Sequence, residues 1–298
     1  MKNKFFIIII LILFISVFFY FTKYKNENYE IQNIVKPVGA TKKPFFIILS
    51  PHFDDGVLSL GGLIVKQKND LLVATFFTKK PIKIAHTNWD KISGFSDSNE
   101  AIFARTKENM NTLTTFNTII KNYNYLDYQY REKNKDKEVT ANISNDIKTL
   151  IKTYQDRELF IYGPATFGKK ITHPDHQIVH DAFMNILKKN EKSKNLHFFI
   201  YEDFPYIQKF NMYNKNNFNT YLEKEENIKF EESPIELDKS ILFEKIGAIY
   251  KYTSQVKAFM SFGDNIRILA NKFFKERCKI LSPEAYACEV IHQPIIAY

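Results

Sequence analysis

Three observations predict a single-domain α/β fold, Rossmann-like, with a mostly parallel sheet and helices on both faces. Short continuous apolar runs, β-branched or aromatic, recur at 45–49, 71–77, 159–162 and 197–201, as strands buried on both faces require. Segments with apolar residues at helical spacing separate them, which makes the strands parallel and the crossovers right-handed. One cluster of histidine and aspartate directly follows the first run and another lies beyond the loop after the third, at the carboxyl ends where open α/β sheets carry their sites.

Taken in order, the chain opens with Lys2 and Lys4 ahead of an apolar run at 5–21. About 17 residues at 1.5 Å each reach about 25 Å, enough to cross a hydrocarbon core. The run ends on Val17, Phe18, Phe19, Tyr20 and Phe21, with neither a small-residue cleavage site nor a lipobox cysteine. An uncleaved transmembrane helix is therefore expected over 1–22. The two lysines on a very short tail favour the N-terminus inside and the domain outside, in the periplasm or at the cell surface. A polar linker over 23–43 then leads into one domain, 44–298.

In that domain the first strand, 45–49, precedes a helix carrying Leu58, Leu60, Leu63 and Ile64 on one face, and then the second strand. A helix at 99–116, a short segment at 123–126, a helix at 142–154 and the strand at 159–162 follow. Beyond a loop containing Gly163, Pro164 and Gly168 come a helix at 174–189 and the strand at 197–201. The Asn- and Lys-rich stretch at 211–232 reads as an irregular excursion before a long helix at 237–260. No internal repeat is present.

The 298 residues, 45% hydrophobic and 25% charged, suffice for a sizeable core and exclude a disordered chain. The net charge of +9 is a lysine excess scattered among Asn, Glu and Asp, without clustered arginine and stacking aromatics, so a nucleic-acid partner is not expected. Cys278 and Cys288 match no metal spacing; free thiols and a disulfide are both open.

The stretch Ser50-Pro-His52-Phe-Asp54-Asp55-Gly56 places an imidazole and two adjacent carboxylates where a buried strand ends. Like charges in low dielectric need a compensating cation, donors or a shared proton. A second cluster, Thr172-His173-Pro174-Asp175-His176, follows the strand at 159–162, and Pro174 can open a helix there. His52 and Asp55 from the first cluster and His176 from the second give two nitrogens and one carboxylate oxygen with a fourth position open, the pattern of a catalytic zinc sphere. A divalent cation would then supply the compensating charge, leaving Asp54 beside it as a free carboxylate. His176 and His180 form H-x-x-x-H without the glutamate of the zincins, and His180 reads as structural. His86, His197 and His292 have no ligating neighbours in sequence.

These motifs resemble the PIG-L/LmbE family of zinc-dependent N-acetylglucosaminyl deacetylases. The family's H-P-D-D-E is similar to His52-Phe53-Asp54-Asp55-Gly56 followed by Gly61-Gly62, and its H-x-D-H to His173-Pro174-Asp175-His176. Further similarity to bacterial members lies in Trp89-Asp90 with Gly94-Phe95, in Arg105-x-x-Glu108-Asn109, in Tyr201-Glu-Asp-Phe-Pro-Tyr206 and in Tyr252-Thr-Ser-Gln255, so that the resemblance spans about 44–260. Phe53 and Gly56 depart from the usual Pro and Glu. The resemblance implies zinc on His52, Asp55 and His176, Asp54 as general base, His173 as stabiliser of the oxyanion, and Asp175 tuning His173. It implies hydrolytic removal of an N-acetyl group from a GlcNAc-type sugar, expected here in a cell-envelope glycan, glycolipid or precursor. A zinc amidase on a small thiol conjugate or other small-molecule amide and a degenerate carbohydrate-binding protein are the rival readings.

Overall fold

The computed structural model describes residues 43–168, 170–190, 193–213, 217–261, 263 and 265–295. The expected membrane span at 1–22 lies outside these residues, as does nearly all of the linker. Among the described residues no helix is long and apolar enough to cross a membrane.

Seven strands form one sheet: β1 (Phe45–Ser50), β2 (Leu71–Thr75), β3 (Ile119–Asn122), β4 (Leu159–Pro164), β5 (Leu196–Tyr201), β6 (Phe230–Leu237) and β7 (Ala287–Pro294), in the order β3-β2-β1-β4-β5-β7-β6. The first five are parallel, and β7 and β6 add antiparallel at one edge. The helices are α1 (Asp55–Lys66), α2 (Asn88–Ser93), α3 (Ser98–Leu113), α4 (Asp136–Thr153), α5 (Pro174–Asn190), α6 (Tyr206–Tyr213), α7 (Phe218–Glu226), α8 (Lys239–Tyr250), α9 (Thr253–Ser261) and α10 (Ile266–Leu281).

From β1 the chain crosses to β2 in one direction, and from β4 to β5 in the other. With right-handed crossovers, α1 and α5 fall on opposite faces, and the order reverses between the neighbours β1 and β4. Such a reversal leaves a crevice at the carboxyl ends of those two strands. The two sequence clusters follow β1 and β4, so the fold brings them to one place.

Three expectations need correction. The stretch at 211–232 is not irregular throughout: α7 forms because Phe218 and Leu222, four apart, bury one face, and β6 begins at Phe230. The strand in the third unit is Ile119–Asn122, just before the segment expected at 123–126. The long helix expected at 237–260 is broken into α8 and α9 at Lys251 and Tyr252. Tyr252 turns into the core, where its hydroxyl donates to Asn109 Oδ1 at 2.9 Å, and the Glu108 carboxylate accepts from Ser254 N (2.8 Å), Ser254 Oγ (2.7 Å) and Thr253 Oγ1 (2.7 Å). Glu108 thus satisfies a donor freed at the start of α9. Glu108-Asn109 of one short motif singled out in the sequence thus binds Tyr252-Thr-Ser254 of another.

The Gly61-Gly62 pair has an equally local reason. Backbone geometry departs from helical at Leu60, and the freed N–H groups of Gly62 and Leu63 donate to Glu289 on β7 at 2.5 and 2.9 Å. Glu289 in turn pairs with the buried Lys245 at 2.6 Å, whose ammonium also donates to the Ser59 carbonyl at 2.9 Å. A Cβ at Gly62 would lie 2.4 Å from Leu237, too close for any side chain. Cys278 on α10 and Cys288 on β7 form a disulfide, which resolves their pairing.

Candidate metal and active site

At the end of β1 the chain turns through His52 and enters α1, with Asp54 as the residue before the helix and Asp55 in its first turn. The partial positive charge of a helix N-terminus favours carboxylates there. Asp55 Oδ2 accepts the His52 N–H at 2.7 Å and lies 3.2 Å from His52 Nδ1. From the β4 side, α5 begins at Pro174 and presents His176 inward: its Nε2 is 3.2 Å from the same Asp55 oxygen and 3.3 Å from His52 Nδ1.

These three atoms form a nearly equilateral triangle with edges of 3.2, 3.2 and 3.3 Å. Tetrahedral ligands at about 2.0–2.1 Å from a zinc ion are separated by about 3.3–3.4 Å. The donor set thus fits a small divalent cation in spacing as well as in type. The far nitrogen of each imidazole is held by a further carboxylate: His52 Nε2 lies 2.9 Å from Asp175 Oδ2, and His176 Nδ1 is hydrogen-bonded to Asp203 Oδ2. Carboxylates in that position fix ring orientation and raise the basicity of metal-binding histidines.

The site carries an excess of buried negative charge. Asp54, Asp55, Asp127, Asp175 and Asp203 converge on it, against the guanidinium groups of Arg105 and Arg131. Burial pushes the His52 imidazole down, but the Asp127 charge and the bonds to Asp175 and Asp55 outweigh it and raise the group to about 10. His176 is also raised well above its ordinary value, since Asp203 and Asp55 overcome its burial. Asp54 is pushed up to about 6 by burial and then by the Asp55 charge, against the pull of Arg105 at 3.4 Å. A cation at the triangle would offset this excess, which answers why two adjacent carboxylates are tolerated.

His173 stands at the rim, its ring 5.0 Å from that of His52 and 5.7 Å from that of His176, centroid to centroid. The resemblance implies that Asp175 tunes His173; its charge does raise that imidazole, but its direct contacts are with other groups. The Asp175 carboxylate is taken by His52, by the Tyr128 N–H at 2.9 Å and by Arg131, and lies 3.8 Å from His173 Nδ1. That nitrogen instead accepts the Asp175 N–H at 3.3 Å, and burial together with the His52 charge pushes His173 down to about 4. Both act against a charged ring, and the Asp175 N–H, donating to Nδ1, leaves the ring proton to Nε2.

Sequence reasoning missed Asp127 and Asp203 as individuals, and gave Arg105 no role. Asp203 follows β5 inside the Tyr201-Glu-Asp-Phe-Pro-Tyr206 string, the one signal that could have found it. Phe53, in place of the usual proline, is buried and supports the Arg105 guanidinium 5.6 Å above its ring. Gly56, in place of the usual glutamate, sits where a Cβ would meet Ile48 and Ser50 at 3.3 Å, and its N–H donates to Ser50 Oγ at 2.9 Å.

The other histidines lie elsewhere. His180 spends both nitrogens on Pro164 O (2.7 Å) and Glu226 (2.9 Å), as a structural residue does; His86 contacts Ser96 O and His197 contacts Glu158. His292 lies near Glu202 and Glu232, where Arg277 already supplies the positive charge at 2.5 Å from each glutamate.

Above the triangle opens a cleft of about 820 Å³, bounded by Trp89, Arg105, Asp127, Gln129, Tyr206 and Gln255, with Phe259 edge-on to Trp89 at 6.4 Å. Its volume is near the top of the usual range of about 300–1,000 Å³ for small-molecule sites.

Residues 47–187, which contain both clusters, match the family described as PIG-L: GlcNAc-PI de-N-acetylase. Among solved structures, the chain is similar to the zinc-inhibited form of the teicoplanin deacetylase Orf2, at 19% identity over 86% of this chain and 99% of that one, with a TM-score of 0.68. It is similar to the A40926 pseudoaglycone deacetylase Dbv21, at 20% identity over 85% and 99% with a TM-score of 0.67. A deacetylase–teicoplanin complex aligns at 18% identity over 86% and 100% with a TM-score of 0.66. At such identities the likeness is one of fold. No curated protein sequence matches the chain.

Proposed function

The chain belongs to the PIG-L/LmbE family of metal-dependent N-deacetylases, and we propose that it uses zinc to remove the acetyl group from an N-acetylated amino sugar of the cell envelope. The observation that carries this reading is the ion-sized triangle of His52 Nδ1, Asp55 Oδ2 and His176 Nε2 beneath a cleft, with Asp54 beside it and outside the donor set. A zinc ion held by those three atoms would make water acidic near pH 7 and polarise an acetyl carbonyl.

The chain's own groups do the rest. Asp54 accepts the proton of the water that attacks the acetyl carbon, a role suited to a carboxyl raised to about 6. Arg105, 3.4 Å from Asp54 Oδ1, keeps that carboxylate oriented. The Nε2–H of neutral His173 donates to the oxyanion as the carbonyl becomes tetrahedral. When the C–N bond breaks, the proton held on Asp54 passes to the leaving nitrogen, giving acetate and a free amine. Asp175 and Asp203 position His52 and His176, and Trp89 offers a ring at the cleft wall against which a sugar face can pack.

The complete donor set supports an enzyme over a degenerate binding protein. The envelope setting draws support from the apolar run at 5–21 and from the Cys278–Cys288 disulfide, since such bonds persist in oxidising compartments. The test is acetate release by the zinc-loaded full chain from N-acetylhexosamine glycans, lipid-linked amino sugars and acetylated thiol conjugates. Release from the sugars is expected; release from the thiol conjugates alone would replace the substrate, and none at all would remove it. A reporter fused after Tyr298 that works only outside the cytoplasm is expected to be active, and activity of a cytoplasmic reporter alone would reverse the placement.

A further inference from the structure

The loop between β2 and α2, residues 78–86, reads Thr-Lys-Lys-Pro-Ile-Lys-Ile-Ala-His. Ile82 is 96% exposed and Ile84 57% exposed, with Lys80 and Lys83 exposed beside them. Solvent exposure of an isoleucine at a loop tip is unfavourable, and a frayed loop would be the simplest explanation. This loop is pinned on both sides of the tip: Lys79 N–H donates to Tyr125 O at 2.9 Å, Pro81 is buried, and Ala85 exchanges bonds with Ser98, its N–H donating to Oγ at 3.0 Å and its carbonyl accepting at 2.9 Å. The fold holds the two side chains out.

From this geometry we propose that the 78–86 loop is a membrane-contact tip that seats Ile82 and Ile84 in the headgroup layer of an anionic lipid surface. Lys79, Lys80 and Lys83 supply the complementary charge, and the loop contains no acidic residue. Asp97, at the start of α3, feels the charge of Lys80, but it is fixed by Asn99 N and Glu100 N, and Glu100 by Ser96 N and Oγ, so that among the described residues neither forms an ion pair with the loop's lysines. Lysine stems can lie along an apolar boundary while their ammonium groups reach phosphate, so an Ile-Lys-Ile tip matches a bilayer interface. A stable protein partner needs about 1,000 Å² or more of complementary surface, which two projecting side chains do not provide.

The position of the loop gives the contact a use. It leaves the carboxyl end of β2, beside the β1 end that carries His52 and Asp55, and runs into Thr87, whose hydroxyl donates to Gln129 of the cleft wall at 2.7 Å. Docking by this tip would bring the cleft's edge to the lipid headgroups, where a lipid-linked amino sugar is presented.

The test uses the full chain in vesicles of equimolar phosphatidylglycerol and phosphatidylcholine. Ile82→Cys carries an environment-sensitive label, and Asn195→Cys, at the amino end of β5 and thus the far side of the sheet, serves as control. The label at 82 is expected to shift to the blue and to be quenched by brominated lipid, and the control label to do neither. Adding Lys80→Glu and Lys83→Glu should lower the ratio of contacting to free loop by at least about 25-fold, at about fivefold for each lysine lost and more for each charge reversed. Absence of quenching at 82, or quenching equal to that at 195, would overturn the proposal. So would a signal that ignores the charge reversals and is as strong in pure phosphatidylcholine, or one that appears only at high protein density. None of these readouts depends on catalysis, so the proposal can fail while the deacetylase reading stands.

Discussion

His52 Nε2 lies 2.9 Å from Asp175 Oδ2, so the carboxylate of the second cluster holds the imidazole of the first. The two clusters, 123 residues apart in sequence, are thereby joined. Asp175→Ala should weaken zinc binding by about 10–100-fold, as loss of such supporting carboxylates does. Competition with a chromophoric chelator measures it; unchanged affinity would show that the contact positions nothing.

His173 is placed as a neutral donor. His173→Ala should retain zinc and lower kcat by about 10²–10³-fold, with a smaller effect on KM. Burial, the largest cause, pushes this imidazole down, and in the zinc-loaded chain the cation's own charge would replace that of His52 in opposing a proton there. Turnover of the zinc-loaded chain should therefore not decline as pH rises through about 6.5, the ordinary value for histidine. A decline there that His173→Gln abolishes would mean the charged ring does the work.

Zinc affinity should rise with pH. His52 is raised to about 10 and His176 well above its ordinary value by the surrounding carboxylates, so both hold protons at neutral pH that the metal must displace. Each displaced proton makes the apparent affinity rise about tenfold per pH unit below the group's own value. Titrations at pH 6, 7 and 8 should show that slope, with proton release on binding; a flat profile would mean the imidazoles are already neutral in the metal-free chain.

The Lys245–Glu289 pair, fully buried under the kink in α1, predicts a stability effect separate from chemistry. Lys245→Met should destabilise the chain by about 3–5 kcal/mol, because Glu289 is left charged without its partner. The midpoint of urea unfolding measures this. A loss much smaller than that range would mean Glu289 is satisfied by the Gly62 and Leu63 N–H groups alone.

How much of this was legible in the sequence follows from how each part is encoded. The strands β1, β2, β4 and β5 are continuous apolar runs because the sheet buries both their faces, and such runs identify themselves. The edge strand β6 does not: Phe230-Glu-Glu-Ser-Pro-Ile-Glu-Leu237 is half polar, and its pairing is set by β7 some fifty residues away. The His52, Asp54, Asp55 and His176 cluster was legible because each group lies beside a strand end. Asp127 reaches the same site from the loop after β3 with no local pattern to mark it, whereas Arg105 on α3 and Asp203 after β5 lie inside motifs that do not by themselves show where their side chains arrive. The partner chosen by Asp175 was illegible for a similar reason: His173 is its near neighbour in sequence, while His52 is its near neighbour only after β1 and β4 pair.

The most direct test of the site is the zinc content, by elemental analysis, of the purified Asp54→Asn and Asp55→Asn chains beside the unaltered protein. Asp55 shares one oxygen between His52 and His176 at 3.2 Å each, whereas Asp54 is held by Arg105 and stands outside the triangle. Asp54→Asn should therefore keep stoichiometric zinc while its turnover falls about 10²–10⁴-fold, and Asp55→Asn should lose the metal and with it all activity. If Asp54→Asn lost the zinc while Asp55→Asn kept it and only slowed, ligand and base would be exchanged. If the unaltered protein bound no zinc, the triangle would not be a metal site.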